Sequence, residues 1–502
     1  MDNSVIIIGA GLAGLAAGCY CQMNSFNARI FEQHSKPGGV ATAWKRKGYT
    51  IDGGIHFLMD HKPGQPAYEI YRELGAAQGG SFTDLEIYGR YIDESSGKTL
   101  VVGRELDRLA ADWKSFFPED AQKIDDLIAG ARAMQRDGMD GMDYAKPPEL
   151  AGRFDGIRQL WEMRRLFRYF TGKYNKTITD YTQDVSDPVL RKVLKYMFLP
   201  EVPVWFVMMI LGMCVQERLG LIEGGSLDFA MSIEQRYRDL GGQITYQSAV
   251  EEILVEENRA VGVRLADGSE HRADIIVSAA DGYSTIFQML RGRYLDEQIK
   301  KRYTEWKPCS PMIMVNFGVD REFPGEPPFN TIFLNHPLDV AGSTVDGIFV
   351  RIFNYSSKFA PPGKTVVQVE FETDWDYWND LRRDNRTRYE AEKEQIAQDV
   401  LDRLDVHYPG IKSQVEMTDV ATPYTTWRYT RNYKGAGMGW LYTPEIMMSV
   451  SVTKRTLPGL ENFLMAGQWV VGGSVPGCLY SGRHIAEILC LRQRKKFTTT
   501  CG

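Results

Sequence analysis

Three glycines, Gly9, Gly11 and Gly14, and a carboxylate, Glu32, have the types and spacing needed to hold a nucleotide diphosphate. Phosphate oxygens need closely placed backbone N–H donors, and a side chain in the way would prevent the approach. In Gly-Ala-Gly-Leu-Ala-Gly the first glycine makes the tight turn. The second lets backbone reach a pyrophosphate, and the third lets a helix pack on a sheet. Glu32 falls where an acid accepts hydrogen bonds from ribose hydroxyls. The positioning elements can be read around these residues: a buried strand Val5–Ile8, an apolar helix Leu12–Met23, and a second strand from Ala28 that ends at Glu32. This is a dinucleotide-binding βαβ unit, with Leu12 and Ala13 in the helix turn that would carry the phosphates.

Past Glu32 the chain reads Gln33-His34-Ser35-Lys36-Pro37-Gly38-Gly39-Val40, then a short strand running into Asp52-Gly53-Gly54-Ile55-His56. Paired glycines let backbone lie against a second ligand segment and a flat ring, which a nicotinamide-only site does not require. Glu223-Gly-Gly-Ser226 precedes an expected helix Met231–Leu240, a strand, Val250, and a hairpin closing on Ile275–Ser278, Ala279 and Ala280. This is the order in which a chain returns to finish a doubly wound sheet. Near the C-terminus a strand from Phe463 ends at Gly467-Gln468. Gly472-Gly-Ser-Val475-Pro476-Gly477 then leads into a helix expected over Cys478–Leu491, whose free amides suit a flavin carbonyl.

On these segments the chain resembles the flavoprotein amine-oxidase-like superfamily, and within it the branch of bacterial-type phytoene desaturases, carotenoid cis-trans isomerases and retinol saturases. The Glu32-Gln-His run and Gly54-Ile-His56 resemble retinol saturases in particular. The resemblance implies an α/β fold, a Rossmann-type FAD-binding domain with a discontinuous α+β substrate-binding domain, and FAD as cofactor. It implies that Gly9, Gly11 and Gly14 hold the pyrophosphate, Glu32 the adenosine ribose, and Val250 the adenine through its backbone. Gly38, Gly39, Gly54, Ile55 and the Gly467–Pro476 segment would surround the ribityl chain and isoalloxazine. Leu12, Ala13, Gln33, Val40, His56, Ala279, Ala280, Gln468, Val475 and Pro476 complete the implied contact set. The chain departs from the family pattern at Val40, where many relatives carry arginine, and at Gln468, where many carry aspartate. His56, beside the ring by the resemblance, is the candidate proton donor; no other catalytic residue is assigned.

The chain has 502 residues, enough for two or three domains, with 43% hydrophobic and 25% charged residues. A net charge of -6 argues against a nucleic-acid partner. The seven cysteines are scattered, Cys19 and Cys21 point to different helix faces, and no metal-binding or serine-nucleophile motif occurs, so no metal is expected. The start Met-Asp-Asn-Ser lacks a basic leader, and no apolar run reaches about 18 residues. The expectation is a cytoplasmic protein without a transmembrane span, with peripheral membrane contact left open.

Residues 1–70, 221–290 and 446–502 are expected to form the FAD-binding domain, and 71–220 and 291–445 the substrate-binding cap. Within the cap, Arg158–Phe170 has apolar residues at helical spacing beside four arginines, fitting either an interfacial helix or a solvated basic face. Phe198–Met213 is apolar on all sides and too short to span a bilayer, so it reads as core or as the lining of a lipophilic tunnel. Trp375, Tyr377, Trp378, Tyr424, Trp427, Tyr429, Trp440 and Tyr442 could wall a long apolar ligand, and Gly435–Gly439 reads as a lid beside the flavin. The expected function is an FAD-dependent oxidoreductase that desaturates, saturates or isomerises carbon–carbon bonds of a lipophilic, carotenoid-like or retinoid-like substrate. A flavin amine oxidase or fatty-acid double-bond isomerase, and a flavin-free prenyl-binding carrier, stay open as alternatives. With a single dinucleotide fingerprint, the electron donor or acceptor is external.

Overall fold

A computed structural model describes residues 3–137, 146–152, 169, 171–447, 449 and 453–501. Apart from Tyr169, the arginine-rich segment 158–170 lies outside the described residues. The cofactor-side sheet has five parallel strands, in the order Gln243–Thr245, Asn27–Phe31, Ser4–Ile8, Ile275–Ser278 and Phe463–Met465. Val5–Ile8 and Ile275–Ser278 are buried throughout, as strands covered on both faces require. One face carries the fingerprint helix Leu12–Met23, the crossover helix Gly225–Asp239 and the closing helix Val475–Arg492. The other carries a three-stranded antiparallel meander, Val250–Glu256, Arg259–Leu265 and Glu270–Arg272.

Small residues set how closely these helices pack. A Cβ on Gly482 of the closing helix would lie 2.5 Å from the Ala13 carbonyl oxygen of the fingerprint helix, and one on Gly18 would lie 2.7 Å from the Tyr237 ring. Two helix boundaries differ from the sequence reading. The closing helix begins at Val475, not Cys478, because Ser474 caps it by accepting from the Gly477 N–H at 2.9 Å, and Pro476 lacks an amide that the first turn could not pair. The crossover helix begins at Gly225, six residues before Met231, at the second of two glycines with positive φ.

A second sheet has seven strands, in the order Val415–Ala421, Met312–Val319, Thr365–Glu372, Ser343–Ile352, Phe329–Val340, Ile87–Asp93 and Thr99–Gly103. Only Phe329–Val340 with Ile87–Asp93 is parallel. Both stretches expected in the substrate-binding cap therefore contribute strands to one sheet. Its apolar face, including Ile313, Val315, Val350, Ile352, Val367 and Val369, packs on helices Trp375–Asp384 and Arg386–His407. Helices Leu106–Phe116, Ala121–Asp137, Pro188–Tyr196 and Trp205–Val215 gather around Trp113 and Trp205 in a separate core. The apolar run Phe198–Met213 contributes most of that last helix, and its buried residues are core.

The opposite face of the second sheet is polar along one line. The register sets Phe329 opposite Arg351, Arg351 opposite Gln368, Gln368 opposite Asn316 and Asn316 opposite Asp419. Glu370 lies two residues along the same face, opposite Phe349. Arg351, Gln368, Asn316 and Glu370 are all buried. This row receives the hairpin Ala43–Asp52 and the segment after it, which belong to the N-terminal part of the chain.

Candidate functional site

The glycine spacing that suggested a nucleotide site becomes a crossing of chain segments at the carboxyl ends of the parallel strands, where ligands of such sheets bind. Gly9, at φ +97°, turns the chain out of the first strand and donates its N–H to the Phe31 carbonyl at 2.8 Å. A Cβ on Gly14 would lie 2.0 Å from the Gly9 carbonyl oxygen, so that position holds the helix against the turn. A Cβ on Gly11 would meet nothing within 4 Å. The first glycines therefore divide their work: Gly14 serves protein packing, and Gly11 faces open space that a ligand can fill. Glu32 is buried and accepts from the Ala10 N–H at 2.6 Å and the His34 N–H at 2.7 Å. Burial pushes its carboxyl above the ordinary range, and those backbone donors pull it back.

The other segments close on this turn. Gly38 donates its N–H to the Ala10 carbonyl at 2.9 Å, and a Cβ on Gly39 would lie 3.4 Å from the Gly11 Cα. Gly54 follows behind them: a Cβ there would lie 2.8 Å from the Val40 carbonyl oxygen and 2.9 Å from the Ala41 Cα. Asp52 and Ser226 lock this approach. Asp52 accepts from the N–H groups of Gly54 and Ser226 at 3.0 and 2.9 Å, while the Ser226 hydroxyl oxygen accepts from the Ile55 N–H at 2.7 Å. From the late segment, Gly467 at φ +98° comes within 3.5 Å, at its Cβ position, of the Ala13 side chain, and its N–H is held by Ser481 at 2.9 Å. Ala279 donates its N–H to the Ile8 carbonyl and packs against Gly14.

The structure thus brings Gly9, Gly11, Ala13, Gly14, Glu32, Gly38, Gly39, Val40, Gly54, Ile55, Ala279 and Gly467 to one place. Leu12 lies in the first turn of the fingerprint helix, and Val475 and Pro476 lie in that of the closing helix. Val250 opens the meander, two residues past Ser248, whose N–H is held by the Glu32 carbonyl at 2.8 Å. Ala280 packs on the meander side of the sheet. The Gln468 backbone meets Gly439, where a Cβ would lie 2.3 Å from the Gln468 carbonyl oxygen, so the Gly435–Gly439 segment does lie beside the late loop. It is fastened there by the Cys309 N–H on the Gly439 carbonyl and the Leu441 N–H on the Lys307 carbonyl, both at 2.9 Å. Gln33 is the exception. Its side chain turns away to the Tyr429 carbonyl at 2.9 Å.

A cradle with one open glycine, a buried acid at the end of the second strand, and three glycine-containing segments folding over it fits an adenine dinucleotide with a further flat ring. Fold and site together define an FAD-dependent flavoprotein. The chain belongs to the family described as flavin containing amine oxidoreductase, which matches residues 12–490. It is 23% identical to a chloroplastic prolycopene isomerase of Arabidopsis thaliana over 96% of this chain and 82% of that protein. It is also 23% identical to an all-trans-retinol 13,14-reductase of Danio rerio, over 96% of this chain and 86% of that one. Among solved structures, an oxidoreductase from Methanosarcina mazei superposes with a TM-score of 0.62 at 17% identity, covering 96% of this chain and all of that one.

One constellation has no counterpart in the sequence reading. Beyond Ile55, the His56 Nε2 lies 2.8 Å from Glu370 Oε2, and Arg351 Nη1 lies 3.2 Å from Glu370 Oε1. Arg351 also donates to Gln368 Oε1 at 2.8 Å and to the Ile55 carbonyl at 3.4 Å. Gln368 in turn donates to the Asp52 carbonyl at 2.8 Å and to Asn316 Oδ1 at 2.7 Å. Trp44 Nε1 donates to Asp419 at the far end of the row, at 3.0 Å. Burial alone would raise the Glu370 carboxyl, but His56 first and then Arg351 outweigh it and hold it at about 2. The only available signal was a polar residue at each of several even positions in otherwise apolar strands.

The aromatic residues proposed as ligand walls separate into groups. Trp378 is buried with Tyr389 under the apolar face of the second sheet, a packing position. Trp375, Tyr424 and Trp427 form their own cluster. Trp440 stacks edge-on with Trp469 beside Gln468, and Tyr442 stacks on Phe206 and donates to the Val471 carbonyl. All seven cysteines are free thiols. Among the described residues no helix is long and apolar enough to cross a membrane.

Proposed function

We propose that this protein acts on carbon–carbon bonds of a lipophilic isoprenoid, by desaturation, saturation or cis–trans isomerisation, at the face where the Gly54–Ile55 backbone leaves the cradle. The observation that carries this reading is what lies there: His56 edge-on to Phe349 at 5.5 Å, with Phe329 behind it and Phe57 against Tyr88. A single imidazole among aromatic rings suits an apolar substrate that needs at most one proton moved. Support comes from two relatives that match nearly the whole chain and are named for prolycopene and retinol.

In this reading Gly9, Gly11, Leu12, Ala13 and Gly14 hold the pyrophosphate, Glu32 the ribose, and the Val250 backbone the adenine. Gly38, Gly39, Val40, Gly54, Ile55, Ala279, Ala280, Gly467, Gln468, Val475 and Pro476 surround the rest of the cofactor. Bound FAD supplies hydride chemistry, so the protein need only orient the substrate, exclude water and handle a proton. His56 is the proton-handling side chain. The first turn of the closing helix presents amides toward developing negative charge. Segments 1–70, 221–290 and 446–502 serve the cofactor, and 71–220 and 291–445 the substrate. The single dinucleotide fingerprint calls for an external electron donor or acceptor. A substrate of this class partitions into bilayers, which is the reason to include peripheral membrane contact.

The test is anaerobic mixing of the purified protein, with oxidised and with reduced flavin, against carotenoids, retinol, unsaturated fatty acids and amines, following flavin spectra and product masses. Spectral change and a product altered at a carbon–carbon bond are expected with an isoprenoid. Turnover of amines alone would overturn the reading.

A further inference from the structure

Glu370 does more than dock His56. Its side chain is fully buried, one oxygen faces His56 Nε2 and the other faces Arg351 Nη1, and Arg351 is itself fixed by Gln368. An ionised carboxylate can only accept hydrogen bonds. A neutral imidazole bonded to it must therefore carry its proton on Nε2, which leaves Nδ1 as the working nitrogen. The His56 side chain is 38% exposed, so it is not sealed behind the sheet as Glu370 is. Glu370 is the charged group bonded to the ring; Arg351 faces it from behind Glu370, and Asp52, on the same segment as His56, is taken up by the Gly54 and Ser226 N–H groups.

We propose that Glu370, held by Arg351, is a positioning residue that sets the His56 tautomer, so that Nδ1 exchanges the proton with the substrate; this rests on the isoprenoid reading above. In the reducing direction the Nδ1–H bond of the imidazolium breaks and its electron pair stays on nitrogen. The proton forms a C–H bond with the π pair of the substrate double bond, and the other carbon takes a hydride from a two-electron-reduced flavin. The ring is left neutral, with Nε2–H still on Glu370. In the oxidising direction that same tautomer accepts the proton at Nδ1, the pair of the broken C–H bond becomes the double bond, and the hydride from the neighbouring carbon would go to oxidised flavin.

The test is Glu370→Gln in the full-length flavoprotein. Arg351 retains the amide oxygen, so the amide NH₂ faces Nε2 and drives the neutral ring to the Nδ1–H tautomer. Long-range ¹H–¹⁵N spectra of histidine-labelled protein with oxidised flavin should show His56 as Nε2–H in the wild type and Nδ1–H in the variant. The substrate-dependent flavin half-reaction should fall about 10²–10⁴-fold, with FAD occupancy retained. His56→Asn keeps a donor for Glu370 and should lose as much. An Nδ1–H wild-type ring, or half-reaction rates unchanged in His56→Asn, would overturn the proposal. If the tautomers behave as expected but no isoprenoid reacts with the wild type, the substrate reading falls and the Glu370–His56 arrangement stands.

Discussion

The glycine crossing and the polar row of the second sheet meet at Ile55 and His56, and they are built in opposite ways. At the crossing the protein works with backbone: glycines remove side chains so that the turn at Gly9, the Gly38–Gly39 segment and Gly54 can approach one another. Along the row it works with side chains: Asn316, Gln368, Arg351 and Glu370 are buried polar groups whose hydrogen bonds are made to one another and to the hairpin they hold. Binding a nucleotide needs space and N–H groups, whereas aligning a second sheet on that site needs a directional, hydrogen-bonded interface. The comparison teaches where each kind of substitution should do damage.

The largest effect should come from the crossing. Gly14→Ala places a carbon 2.0 Å from the Gly9 carbonyl oxygen, a backbone atom that cannot swing aside. Little folded protein and no stoichiometric flavin should be recovered, as read by absorbance and thermal unfolding. Gly11→Ala, in extended backbone with open space, separates packing from binding. Flavin-free Gly11→Ala should unfold within about 0.5 kcal/mol of wild type, while its FAD affinity falls at least roughly tenfold, about 1.4 kcal/mol. Equal damage from both would break the distinction between a packing glycine and a ligand glycine.

On the row, Arg351→Met leaves Glu370 ionised and buried with only His56 as a charged partner. Removing one member of such a buried pair costs about 3–5 kcal/mol, and denaturant unfolding of the flavin-loaded protein should show a loss of that size. Unchanged stability would mean that the row is not a docking interface.

The two regions also differ in how far they could be read from the sequence. Gly9 to Gly14 and Glu32 were legible from the spacing of the fingerprint, and the paired glycines at Gly38–Gly39 and Gly53–Gly54 as points of close backbone approach, while their places around a cofactor, and that of Gly467, followed from the family resemblance. The closing helix was mis-started at Cys478 because Gly472 to Pro476 reads as turn chemistry, and only the Ser474 cap shows that Val475 is already helical. Glu370 and Arg351 were illegible for a different reason. Each sits in a mostly apolar strand that also carries another charged residue, Glu372 or Asp346, and only the fold of the second sheet against the N-terminal segment brings Glu370 and Arg351 to His56 and Ile55. Trp378 shows the converse: an aromatic residue that composition could assign to a ligand wall fills an ordinary core. Gln33 directly follows Glu32 in sequence, yet its side chain donates to the Tyr429 carbonyl.

The central claim is that segments from both ends of the chain close around one FAD. It is tested most directly by releasing the cofactor from purified protein by heat and identifying it by chromatography and mass. One FAD per chain is the expected result; a colourless protein, or one that releases only a nicotinamide nucleotide, would contradict the account.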